Sequence, residues 1–299
     1  MRVLYLFIDG IGFGSPDPEI NPFAKFARSS LRILGDPDYI HSRWKISPLD
    51  AHQGYPGLPQ SATGQTSLWT GQNGSRAMGH HKTGFPGPTL KKIIAEHSII
   101  KRFQEDGSRA TLVNAYSPRY IERIQSQPRF RSASTLVQQA SDQPLKNLTD
   151  LEQQAAIYMD ITHEMMHRFM PEYKSRFPRR SPVQTARILL DILRKHDLVL
   201  YEFFLTDKAG HKQDWSHARW CIETLESFLD TLLAGIDPAS ELLILASDHG
   251  NLEDLSTKTH THNPVPGLFY GQSDAYFANQ CHELADVPNT ILALKKPEH

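Results

Sequence analysis

The 299-residue chain sets 32 Lys and Arg against 33 Asp and Glu, a formal net charge of −1. That balance excludes the whole-molecule field that nucleic acid or an anionic membrane would need, and the length allows one large α/β domain or a core with a smaller unit. The two cysteines, Cys221 and Cys281, lie far apart outside any Cys-x-x-Cys pattern. This excludes a thiolate metal knuckle and fits a reducing compartment, so a cytoplasmic location is expected.

The opening "MRVLYLFIDGIG" is apolar but too short to span a bilayer, and Asp9 interrupts it, so it reads as a buried first strand with no leader or anchor. "LPQSATGQTSLWTG" (58–71) crowds hydroxyls and glycine where a helix begins. Taken alone, Ser61 there reads as an ordinary N-cap. A helix is expected over 89–104, then strand "ATLVNA" (110–115), helix 183–195, strand "LVLYEFFL" (198–205), helix 216–234, and strands "ELLILAS" (241–247) and "GLFYG" (267–271). Continuous apolar runs fit strands buried on both faces, and their alternation with helices argues for a doubly wound, mostly parallel sheet sandwiched by helices. In such sheets ligands sit beyond the carboxyl ends of the strands, where Asp9, Asp207 and Asp248 all fall.

Residues 118–181 give no strong strand signal. They are expected to form a small inserted helical cap, leaving 1–117 and 182–299 as the core. "DLEQQAAIYMDITHEMMHRFM" (150–170) reads as one helix, with Met159, Met165, Met166 and Met170 packed inside the cap.

Four groups carry candidate chemistry. Asp207 and His211 are four apart and share a helix face; Asp248 and His249 are adjacent at a strand end; His260 and His262 lie in "THTHNPVPG"; Ser61 supplies a hydroxyl at a helix start. Oxygen and nitrogen donors without thiolate suit Zn²⁺ or Mn²⁺. With Asp9 they exceed the needs of one tetrahedral ion and suit two, the arrangement that clamps attacking and leaving oxygens in phosphoryl transfer.

"FIDGIG", "PQSATGQTSLWTG", "DKAGH", "SDHGNLED" and "HTHNPVPG" together resemble the metal-binding motifs of the alkaline phosphatase superfamily. The likeness is nearest to its cofactor-independent phosphoglycerate mutase and phosphopentomutase branch. The resemblance implies one metal site from Asp9, Asp248 and His249, which also touches the nucleophile Ser61, and a second from Asp207, His211 and His260. His262 falls on a variable position, and Gln65 stands where the mutase branch usually has His. Ser61 would form a phosphoserine, its alkoxide stabilised by the helix N-terminus and metal, with Ala62 and Gly64 leaving room for the phosphoryl group.

The long mutases carry a large second domain, whereas this chain has only 118–181 for a cap. Hydrolysis of a small phosphomonoester is therefore expected first and phosphomutase chemistry second. "SATGQ" is not the Cys/Ser-x-Pro-x-Arg setting that sulfatases need. Candidate phosphate contacts are Arg76, His80, His81, Lys82 and Lys208. Two rival readings stand beside this one. "HEMMH" (His163, Glu164, His167) fits the H-E-x-x-H pattern of zinc peptidases, although Met170 and Tyr173 stand where the metzincin continuation needs Gly and His. The other is a non-catalytic metal-binding protein that kept the fold. Oligomeric state leaves no signal in the sequence.

Overall fold

The structure, a computed structural model, describes residues 1–141 and 143–295. Asp142 of the expected cap and residues 296–299 of the expected core lie outside the described residues. In chain order the elements are β1 (Arg2–Ile8), α1 (Pro22–Phe26), β2 (Lys45–Leu49), α2 (Ser61–Thr70), α3 (Gly74–Met78), α4 (Pro88–His97), α5 (Ile99–Glu105) and β3 (Ala110–Leu112). There follow β4 (Asn114–Ala115), α6 (Pro118–Ser126), α7 (Ala133–Gln139), α8 (Leu148–Glu152), β5 (Ile157–Tyr158) and α9 (Glu164–Phe169). The chain closes with α10 (Pro182–Leu193), β6 (Leu198–Phe203), α11 (Leu205–Lys212), α12 (Trp215–Gly235), β7 (Glu241–Ala246), β8 (Val265–Gly271), α13 (Asp274–Gln280) and α14 (Asp286–Lys295).

The main sheet has the order β2-β8-β7-β1-β6-β3. β3, β6, β1 and β7 run parallel, while β8 and β2 add an antiparallel edge. β1 lies between β6 and β7, with Leu6 opposite both Tyr201 and Leu245. The period of two sends its side chains alternately to two cores. Leu4, Leu6 and Ile8 pack with Leu189 of α10 and Phe228 of α12. Val3, Tyr5 and Phe7 pack with Trp69 of α2, Ile94 of α4 and Ile291 of α14. Trp69 sits between the Tyr5 and Phe7 rings, 5.4 Å from each. The expected doubly wound, mostly parallel α/β fold is thus present, and its central strands end on one rim.

The structure departs from the sequence reading at several points, and the strand expected over 110–115 divides into β3 of the main sheet and β4 of a separate two-stranded sheet. Strand β2 was not foreseen: "KISPL" contains Pro48, which a strand tolerates at an edge, and only part of it is buried. The helix expected over 89–104 is two helices, because Ser98 takes an extended ψ of 127° and caps the second through the Lys101 amide. The single helix expected over 150–170 is also absent. Gln154, Ile161 and His163 take positive φ there, so the segment becomes α8, β5 and α9. β4 and β5 pair in parallel, and a separate apolar cluster of Leu148, Leu151, Tyr158, Met166, Met170 and Phe177 packs beside them. Met166 and Met170 pack in that cluster with Met159 against it, while Met165 joins the main core instead.

Candidate metal centre

Asp9, Asp207 and Asp248 follow β1, β6 and β7, three neighbouring strands, and that is why residues far apart in sequence meet. Thr206 Oγ1 donates to the Asp9 carbonyl and fixes the turn after β1 against α11. Asp9, Asp248 and His249 offer three donor atoms within 4.8 Å of one another, and Asp207, His211 and His260 offer a second such group. Among the described residues these are the groups of three or more His, Cys, Asp or Glu with that spacing. The two groups abut, with the His249 and His260 rings stacked 3.6 Å apart at 12°.

The donor chemistry fits cations. His260 Nδ1 lies 2.7 Å from the Pro59 carbonyl and His211 Nδ1 2.8 Å from that of Lys258, so each ring donates there and keeps a lone pair on Nε2. The two Nε2 atoms face each other at 3.2 Å, and Asp207 Oδ1 lies 3.4 and 3.7 Å from them. With both rings in the tautomer that donates through Nδ1, three lone-pair atoms converge here. In the other group His249 Nε2 lies 3.5 Å from Asp9 Oδ1 and 3.4 Å from Asp248 Oδ2, and Asp9 Oδ1 is buried without a hydrogen-bond partner. Burial, then the facing carboxylates, raises the Asp9 carboxyl well above its ordinary range and lifts Asp248 to about 8. Burial also pushes the His249 imidazole far below its usual value. A divalent ion reverses this cost by giving the carboxylates an opposite charge.

Neighbouring groups orient these donors. Asn251 Nδ2 donates to Asp207 Oδ1 at 2.7 Å, and Gln65 Nε2 donates to Asp248 Oδ2 at 3.2 Å. The buried Glu253 carboxylate collects the Gly12 and Asn251 amides, the Thr261 hydroxyl and the Asn263 amide group. It ties the loop after β1 to both ends of the β7–β8 loop, which carries His260. None of these supports had been read from the sequence, although Asn251 and Glu253 lie inside "SDHGNLED".

Ser61 is the first residue of α2, not its cap. Gln60 occupies the N-cap position without a side-chain bond, and Ser61 Oγ lies 3.0 Å from His249 Nε2. The capping reading is therefore overturned. Gly64 does not leave room for a phosphoryl group either: a Cβ there would meet Asp248 Cβ and its carbonyl oxygen at 2.9 Å, so the missing side chain admits Asp248 itself. His262 turns away from both groups and stacks on His52 at 5.2 Å.

Beside Ser61 a cavity of about 450 Å³ is lined by Asp9, Gln65, Asp207 and Lys208 together with Phe85, Tyr116, Tyr120, Phe130 and Glu202. Of the five candidate phosphate contacts, Lys208 lines it. Arg76 and His80 are exposed, His81 is bound to Ser75 Oγ and the Tyr55 carbonyl, and the Lys82 carbonyl accepts from the Ala62 amide. "HEMMH" does not lie on one helix face. His163 has a left-handed φ of 67° ahead of α9, and Glu164 pairs with Arg179 at 2.9 Å.

A sequence profile described as the Metalloenzyme superfamily matches residues 174–296, the stretch that holds Asp207, His211, Asp248, His249 and His260. The 2,3-bisphosphoglycerate-independent phosphoglycerate mutase of Nitrosococcus oceani is 33% identical over 107 residues, 33% of this chain and 20% of that protein. The Desulforudis audaxviator protein of the same name is 29% identical over 131 residues, 40% of this chain and 26% of its own length. The profile match and the mutase relatives support an alkaline phosphatase-superfamily metalloenzyme near the phosphomutase branch.

The similarity spans about a quarter or less of the mutases' length. At the level of fold, the chain is similar to a protein of Pyrococcus horikoshii, with TM-score 0.57 and 14% identity over 98% of this chain and 96% of that one. It is also similar to the alkaline phosphatase of the Antarctic bacterium TAB5, with TM-score 0.56 and 13% identity over 100% and 98%. The match to the Metalloenzyme superfamily profile goes with two candidate ligand groups. Among the described residues no helix is long and apolar enough to cross a membrane.

Proposed function

We propose that the chain is a binuclear-metal phosphohydrolase acting on a small phosphomonoester through a phosphoserine. The reading rests on one observation: a serine hydroxyl on the first turn of a helix, 3.0 Å from a buried imidazole that belongs to one of two abutting donor groups. Asp9, Asp248, His249 and Ser61 would hold one Zn²⁺ or Mn²⁺ ion, and Asp207, His211 and His260 the other. Such ions supply positive charge that lowers the serine pKa and offsets charge on the phosphoryl oxygens.

Ser61 Oγ attacks phosphorus, the ester P–O bond breaks, and the alcohol leaves with a proton. Water then attacks the phosphoserine, releasing inorganic phosphate and restoring the hydroxyl. The positive N-terminal end of α2 favours the alkoxide and the transferred group, and Lys208 at the cavity edge faces the substrate. Residues 118–181 act as the cap, over a core of 1–117 and 182–299, in a cytoplasmic protein.

The mutase relatives favour a second reading, phosphomutase chemistry. With metal-loaded protein, Ser61→Ala reduces phosphate release from p-nitrophenyl phosphate to background while metal content stays unchanged; full activity in that variant overturns the mechanism. Presented with 3-phosphoglycerate, a hydrolase frees inorganic phosphate, whereas a mutase forms the 2-isomer without freeing it.

A further inference from the structure

Much of the lining of the cavity next to Ser61 is aromatic: Phe85, Tyr116, Tyr120, Phe130, Tyr158 and Phe204. The Tyr116 and Tyr120 rings are stacked at 4.9 Å and 16°, and Phe85 meets Phe130 edge-on at 5.6 Å. Aromatic walls of this kind gain most from a flat π-system that can stack or meet an edge. A volume of about 450 Å³ lies within the range that ligands larger than a triose phosphate fill.

Charge narrows the choice further. The two cations lining the cavity, Arg123 and Lys208, each lie over an aromatic face, 4.3 Å from the Phe130 and Phe204 centroids. The same lining holds an acid, Glu202, only 7% exposed. Its backbone is held by Asn114 through bonds of 2.9 and 2.8 Å, and its Oε2 accepts from Ser134 Oγ at 2.5 Å. Its other oxygen has no hydrogen-bond partner among the described residues. Burial raises the Glu202 carboxyl to about 7, and a leaving group with a second anion would add to the cost of its charge, whereas a ring bearing N–H donors can pair with its free oxygen.

We propose that the leaving group is a nucleoside: the substrate is a nucleoside 5′-monophosphate whose base occupies the aromatic wall and whose N–H edge faces Glu202. This rests on the phosphohydrolase reading and specifies its substrate class. Phe85 and Phe130 are specificity residues that act on the base and have no contact with the reacting phosphorus.

AMP and ribose 5-phosphate test this cleanly, since both are esters of the same primary alcohol and differ in the base alone. With metal-loaded wild type, kcat/KM for AMP exceeds that for ribose 5-phosphate by about 5- to 150-fold, the range that one base–aromatic stack provides. Phe85→Ala, at a 43% exposed position, and Phe130→Ala reduce the AMP value and leave ribose 5-phosphate unchanged. 3-Phosphoglycerate, with its extra carboxylate, falls below ribose 5-phosphate. Equal values for AMP and ribose 5-phosphate, or 3-phosphoglycerate as the best substrate, overturn the assignment while the phosphohydrolase reading stands. Undiminished turnover in Ser61→Ala instead sinks the reading beneath it. Calorimetry with adenosine decides the matter without turnover: wild type binds it and both Phe variants bind it more weakly, and absence of adenosine binding at millimolar concentration overturns the proposal.

Discussion

Gly64 gives the most direct test of how the candidate centre is built. A methyl group there would lie 2.9 Å from Asp248 Cβ and 2.9 Å from the Asp248 carbonyl oxygen, a pair of contacts that real Cβ atoms essentially never show. Carbon atoms rest at about 3.5–4.0 Å, so Gly64→Ala must push α2 and Asp248 apart by about 0.6–1 Å. Asp248 is fully buried at the end of a central strand, and the strain has no outlet to solvent. Overpacking of this kind costs about 1–3 kcal/mol. With an unfolding entropy of about 2.1 cal/mol/K per residue, the chain changes by about 0.6 kcal/mol for each degree, so Tm falls by about 2–5 °C. Activity should suffer more than stability, because α2 carries Ser61 and Gln65 and the displacement separates both from Asp248. A shift of about 1 Å costs about 100-fold in rate. Differential scanning fluorimetry and phosphate release measure the two effects. A variant with wild-type kcat/KM and unchanged Tm refutes the claim that Gly64 exists to admit Asp248.

Three further outcomes follow from the same geometry. His260→Ala removes a donor that faces His211 and Asp207, so metal analysis should find fewer than two ions per chain, while His262→Ala, stacked on His52, keeps two; the reverse pattern refutes this register of the loop. Chelation should lower Tm by about 4 °C for each ion held at a hundred times its Kd, as mass action and the entropy above require; a melting curve indifferent to chelator and to added Zn²⁺ or Mn²⁺ removes the metal centre. Burial raises the Asp160 carboxyl to about 6 and lowers the His163 imidazole to about 4, and the two act in opposite directions. Asp160 stabilises the fold at low pH and loses that contribution as pH rises through about 6, whereas His163 contributes above about 6.5 and loses it as pH falls towards 4. Asp160→Asn should therefore uncover the histidine slope, with stability dropping by up to about 3 kcal/mol more than wild type between pH 6.5 and 4. Parallel denaturant profiles for the two proteins rule this out.

The parts of the fold readable in the sequence are those in which local pattern and burial agree. "RVLYLFI", "LVLYEF" and "ELLILA" are apolar throughout because helices cover both faces of their strands, and each leads to an aspartate on the rim. β2 escaped because an edge strand needs only part of its side chains inside, and Pro48 disguises it further. The apolar spacing of 150–170 matches a helix, but Asp160 takes the His163 and Met165 amides and the chain turns through positive φ to build a separate cluster. At the centre, the donor residues were legible as chemistry-bearing types at strand ends, whereas their neighbours were not. Tyr116, Tyr120 and Phe130 look like any aromatic residue near a core. Glu202 did leave a mark, an acid in the middle of a continuous apolar strand, which a buried strand does not carry without a reason.

Glu253 has a consequence for how such a centre can change over evolutionary time. A single carboxylate receives groups from the loop after β1 and from both ends of the β7–β8 loop, so the two loops share one fixed reference point. Lengthening or redesigning either of them would drag the other with it. Diversification is then channelled away from the rim, towards the segment between β3 and α10, where side chains can be exchanged without disturbing that common knot.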